Sequence, residues 1–111
     1  LHKSLGKYIR RLVAATRPYN TDTQWLSRSP SDLVEQFVDL GASPRATICW
    51  GRLVKVWALL SHGRPEVFPE DVQELAQYIL SHRIWLAPQA LGQEVRVDSV
   101  IDDVLARVPV P

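Results

Sequence analysis

The stretch Ser43-Pro44-Arg45 holds the residue types best suited to chemistry. Serine caps helix starts, and proline suits the first helical position because its fixed φ is already helical and its missing N–H would have had no partner there. A helix begun in this way presents free backbone N–H groups and the positive end of its dipole. Arg45, in the first turn, adds a guanidinium whose paired donors match phosphate oxygens. Taken alone, Ser-Pro-Arg is most often a helix start with a solvated arginine, so its meaning depends on what surrounds it.

Other polar groups carry less. Glu70/Asp71 and Asp102/Asp103 are adjacent in sequence, so on a helix they diverge by about 100° and do not converge on one substrate. They read as solvated acids at helix N-termini, placed to suit the dipole. No Walker A loop, G-x-S-x-G, H-E-x-x-H, paired-cysteine or glycine-rich dinucleotide pattern occurs. His2, His62, His82 and Cys49 stand at no metal-ligand spacing, and no metal is expected. The chain alone is not expected to catalyse a reaction.

Four helical stripes must position these groups. Leu5, Tyr8, Ile9, Leu12, Val13 and Thr16 share one face over residues 3–16, and Arg17-Pro18 ends that helix. Residues 18–29 read as a loop. Ser29-Pro30 opens a short helix through Leu33, Val34, Phe37 and Val38, with Gly41 as its stop. The third segment, from Ser43-Pro44 to Gly63, is the most apolar, with a stripe of Ala46, Cys49, Trp50, Leu53, Trp57 and Leu60. Pro69 starts the next, with Phe68 as an unfavourable cap and Val72, Leu75, Ala76, Ile79 and Leu80 on one face. Residues 88–96 read as loop, and a last helix spans about 98–107. With no clear strand, the expected fold is all-α: a bundle of four main helices plus a short inserted one.

Composition bounds the rest. A chain of 111 residues, 46% hydrophobic and 23% charged, suits one domain with a single core. No apolar run approaches the roughly 18 residues of a membrane span. The lone cysteine excludes an intrachain disulfide and points to no oxidising compartment, so a cytoplasmic location is expected. The formal charge of +1 is small, yet Lys3, Lys7, Arg10, Arg11 and Arg17 occur with no acid in residues 1–17. Arg45, Arg52, Lys55 and Arg64 repeat that bias over 45–64, which suggests that this half meets something anionic.

Gly41-Ala42-Ser43-Pro44-Arg45-Ala46, then the long apolar helix, Gly63-Arg64, Val67-Phe68-Pro69-Glu70-Asp71-Val72 and Leu80-Ser81-His82-Arg83 together resemble the C-terminal lid domain of MoxR-type AAA+ ATPases. Tyr8–Val13 with Ala15-Thr16-Arg17 is similar to its first helix, and Val104–Pro111 to its end. Residues 18–40 are longer than the usual connection, and Phe68 stands where Ser or Thr usually caps. The resemblance implies that 1–111 is one lid domain cut from a larger ATPase, with 18–40 inserted. It implies that Arg45 is the sensor-2 arginine, reaching γ-phosphate of ATP bound by a separate core, with Ser43 and Pro44 supporting it. Arg17 lies near that core.

The same resemblance implies ATP and Mg2+ as cofactors of the parent, with neither expected to bind the fragment alone. It implies a ring oligomer whose partners are its own core, neighbouring subunits, client proteins and von Willebrand factor A-domain proteins. Trp25 and Trp85, outside the regular elements, are candidates for packing on a partner. The alternative is a free-standing helical module, binding nucleic acid through the basic faces or a protein through Trp25 and the 18–40 stretch.

Overall fold

The computed structural model describes residues 2–18, 26 and 32–111. Its elements run α1 (Lys3–Ala15), α2 (Asp32–Phe37), β1 (Val38–Leu40), α3 (Arg45–His62), α4 (Pro69–Leu80), β2 (Trp85–Leu86), α5 (Gln89–Gly92) and α6 (Val97–Arg107). The architecture is helical, as expected, with α1, α3, α4 and α6 as the bundle. Leu5, Tyr8, Ile9, Leu12 and Val13 of α1 are buried, as are Val72, Leu75, Ala76, Ile79 and Leu80 of α4. Both stripes follow the helical period that predicted them.

The long central helix differs from expectation. Its buried residues are Ala46, Trp50, Val54 and Ala58, spaced strictly by four. Leu53 and Leu60, assigned to the core stripe from sequence, are 46% and 78% exposed. Cys49, on the same stripe, is only partly covered. Apolar residues occupy the whole circumference of α3, so periodicity alone could not say which face turns inward. Trp50 settles it: fully buried, its indole N–H donates to the Val72 carbonyl of α4 at 3.1 Å. Tyr8 locks α1 to α4 in the same manner, accepting from Gln73 Nε2 at 3.1 Å.

Four further points differ from the sequence. The short helix stops at Phe37, and Val38–Leu40 pairs antiparallel with Trp85–Leu86. Its Gly41 is therefore no helix stop. The expected absence of strands fails for this pair, because two or three residues are too few to show a period of two. The Ala87 N–H closes the pair on the Phe37 carbonyl at 2.6 Å. Residues 88–96, read as loop, contain the one-turn helix α5. The first helix, which shows no obvious N-cap in sequence, has one: His2 Nδ1 accepts the Ser4 N–H at 3.1 Å. Ser29, Pro30 and Trp25 lie outside the described residues.

Candidate functional site

Arg45 is the first residue of α3, and its position is set by what precedes it. Pro44 has helical dihedrals and takes the cap position, one residue later than the sequence suggests. Ser43 makes no side-chain cap there; its carbonyl accepts the Ala46 N–H at 3.0 Å, and that of Pro44 accepts Thr47 N–H at 3.1 Å. Ser43 and Pro44 thus support the helix start through their backbones.

The start is bolted to the end of α1. Thr16, fully buried, accepts the Ala42 N–H on Oγ1 at 3.0 Å and donates to the Val13 carbonyl at 2.7 Å. The next residue, Arg17, donates from Nε to the Ala42 carbonyl at 2.9 Å. Both backbone groups of Ala42 are therefore held by consecutive residues of α1's end. Gly41 permits this approach: a Cβ there would lie 2.5 Å from the Thr16 carbonyl oxygen. Arg17 therefore sits beside the Ser43–Arg45 start, half-buried and acting as a brace.

Arg45 itself is exposed. It lines an open groove of about 570 Å³ with Arg52 of α3 and Arg83, which follows α4. Ile48, Cys49 and Leu53 form the floor, and among the described residues no carboxylate lines it. Arg83 also donates from Nη1 to the Ile79 carbonyl at 3.0 Å, the C-terminal contact expected of a cation at a helix end. The lining is mostly apolar, and the three arginines that border it are of the residue type that binds anions with oxygen acceptors.

A second polar cluster escaped the sequence reading. Asp71, which in sequence reads as a solvated helix-start acid, is fully buried. It receives two bonds from Arg64, at 2.7 and 3.1 Å, and the Phe68 N–H at 2.8 Å. That last bond is the reciprocal half of a capping box, in which the third helical residue accepts the N–H of the cap residue. Burial pushes the Asp71 carboxyl up, but the bonds from Arg64 and Phe68 N–H outweigh it, and its pKa lies below the ordinary value. Glu74 is also lowered, by the Trp57 indole N–H at 2.7 Å and by His62 at 3.1 Å. His62, Asp71 and Glu74 bring ligand atoms within 4.8 Å of one another. With Arg64 occupying both oxygens of Asp71, this donor set fits a helix-to-helix lock and not a cation site. The available signal was an acid at the third position after the cap.

Among the described residues no helix is long and apolar enough to cross a membrane. Residues 31–104 match the AAA lid domain family, which includes α3 and the Arg45 groove. The chain is 32% identical over 108 residues to the uncharacterised protein YeaC of Bacillus subtilis, covering 97% of this chain and 28% of that protein. It is 35% identical over 115 residues to chaperone MoxR1 of Mycobacterium tuberculosis, covering 100% and 27% respectively. A crystal structure from Cytophaga hutchinsonii, of a protein provisionally assigned as an ATPase, superposes with TM-score 0.83 at 33% identity. It covers 99% of this chain and 31% of that one. The chain thus spans less than a third of the length of each of these proteins. With family, relatives and fold in agreement, the chain belongs to the AAA lid domain family, as a lid of the MoxR type.

Proposed function

We propose that residues 1–111 act as the lid of a MoxR-like AAA+ ATPase, with 18–40 as an added segment between α1 and α3. In this reading Arg45 is the sensor-2 arginine. The observation that carries it is Arg45 itself: an exposed guanidinium on a braced helix start, beside a groove lined by cations. ATP would be bound by a core domain, and Arg45 would reach from α3 to its γ-phosphate. As the terminal phosphoryl group leaves, negative charge redistributes over its oxygens, and a guanidinium already in place stabilises that change without reorganising. Mg2+ would neutralise phosphate charge from the core side, since the groove offers it no carboxylate.

Ser43 and Pro44 aim Arg45, and Arg17 ties that aim to α1. A lid fixed in this way moves as a rigid body, and ATP shifts its position only by binding the two arrangements unequally. The parent would work in the cytoplasm as a ring oligomer that remodels client proteins or helps mature complexes, with von Willebrand factor A-domain proteins as partners. The chaperone name of the Mycobacterium tuberculosis relative supports that role.

The test is ATP hydrolysis by the longer protein that carries this lid, with Arg45→Ala against wild type at saturating ATP. A fall of about tenfold or more, with ATP binding less affected, is expected for a group acting on the transition state. An active ATPase indifferent to Arg45→Ala would sink the sensor-2 assignment.

A further inference from the structure

Arg45 shares its groove with two other arginines, and the lid reading gives them no task. Arg52 lies two turns along α3 from Arg45, and Arg83 comes from beyond the end of α4. All three arginines line one groove with Ile48, Cys49 and Leu53, so three positive charges border a mostly apolar wall. Among the described residues no lining carboxylate offsets them. Apart from the bond of Arg83 to the end of α4, no hydrogen bond to the described residues occupies these guanidiniums, and an anion of several charges would complement them.

The three side chains also differ in freedom. Arg83 is tied by Nη1 to the Ile79 carbonyl at 3.0 Å, which orients its guanidinium in advance. Arg45 and Arg52 are exposed and make no hydrogen bond to the described residues, so both can reach. A pre-oriented guanidinium loses little freedom when it binds, which favours affinity.

We infer that Arg52 and Arg83 form one polyphosphate site with Arg45, so that the groove grips the triphosphate chain of a nucleotide and not the γ-phosphate alone. The inference rests on the lid reading above. A triphosphate presents several charges on a short run of oxygens and can engage all three forks. A carboxylate side chain from a protein presents one charge and fills one fork. The aliphatic floor keeps water off one flank of the phosphates, which strengthens each contact. Arg83 and Arg52 hold the bound nucleotide, while Arg45 responds to the departing phosphoryl group.

The division of labour is measurable in the longer protein, with Arg45→Ala, Arg52→Ala and Arg83→Ala compared for ATP hydrolysis. Affinity is read in parallel from a fluorescent non-hydrolysable ATP analogue displaced by inorganic tripolyphosphate. Arg52→Ala and Arg83→Ala should each raise KM and the analogue's Kd about tenfold, weaken tripolyphosphate competition in proportion, and change kcat less than threefold. If both leave KM and Kd unchanged while Arg45→Ala lowers hydrolysis, the three-arginine site is wrong and the lid reading stands. If Arg45→Ala is also neutral in an active ATPase, the sensor-2 reading falls and takes the inference with it. Should Arg83→Ala dissociate the assembly and leave ATP affinity intact, the groove holds an acidic protein segment, and the polyphosphate site is overturned. Arg83→Ala also removes the bond to Ile79, so Arg52→Ala keeps the comparison decisive if that variant unfolds.

Discussion

Asp71 closes the turn between α3 and α4, and its chemistry makes the turn sensitive to acid. Its pKa is lower in the folded chain than the ordinary 3.8, so the stability it contributes is fully present above that value. That contribution is lost as pH falls from about 3.8 through the lower folded value, and Glu74, also lowered, adds to the loss in the same direction. Thermal melts should therefore drop steeply below about pH 4, and Asp71→Asn should flatten that dependence. At pH 7 the same substitution leaves Arg64 without its charged partner, and the melting temperature should fall by roughly 5–15 °C. An unchanged melt would mean that the ion pair contributes nothing to the turn. From sequence Asp71 looked like a dipole-compensating acid, because nothing local shows that Arg64 folds back over it. The pairing depends on the turn at Gly63, whose positive φ of 64° sends the chain from α3 back along its own flank.

At the scale of elements, α1 and α3 meet at Gly41. Gly41→Ala places a methyl group 2.5 Å from the Thr16 carbonyl oxygen, a backbone atom that cannot rotate away. The variant should lose about 1–3 kcal/mol in denaturant unfolding, typical of overpacking. Under the proposed sensor-2 role it should lower ATP hydrolysis as well, since the start of α3 must shift and Arg45 with it. Full stability in Gly41→Ala would show that the two helices can part without cost. Helix existence was legible where one face is apolar and the other polar, as in α1 and α4. It failed to give orientation in α3, where Ile48, Leu53, Val56, Leu59 and Leu60 are all about half exposed or more while Trp50 and Val54 are buried. The strands were illegible for a different reason: β1 and β2 are too short to carry any pattern of their own.

Over the whole molecule, those five aliphatic residues make one outer face of α3 continuous with the arginine groove. Exposed apolar area of this kind favours association. The 111-residue chain should associate with rising concentration, as read by light scattering, and Leu59→Gln with Leu60→Gln should suppress this. The melting temperature should hardly move, because both side chains already lie largely in water. Association undiminished in that variant would place the contact elsewhere. The candidate site was legible as far as Arg45, because a helix start is written in consecutive residues. Arg83 joins it only through the antiparallel return of α4, which no local pattern records. The β1–β2 clasp carries a similar long-range signature, this time in folding order. Val38 pairs with Leu86 across about fifty residues, whereas α3 and α4 are joined by a turn of a few. Closing the longer loop costs more chain entropy and returns only a handful of hydrogen bonds, so the clasp should form last and open first. Amide exchange should accordingly be faster at Val38–Leu40 than along the buried face of α3, leaving the α3–α4 hairpin as the unit that persists when the clasp lets go.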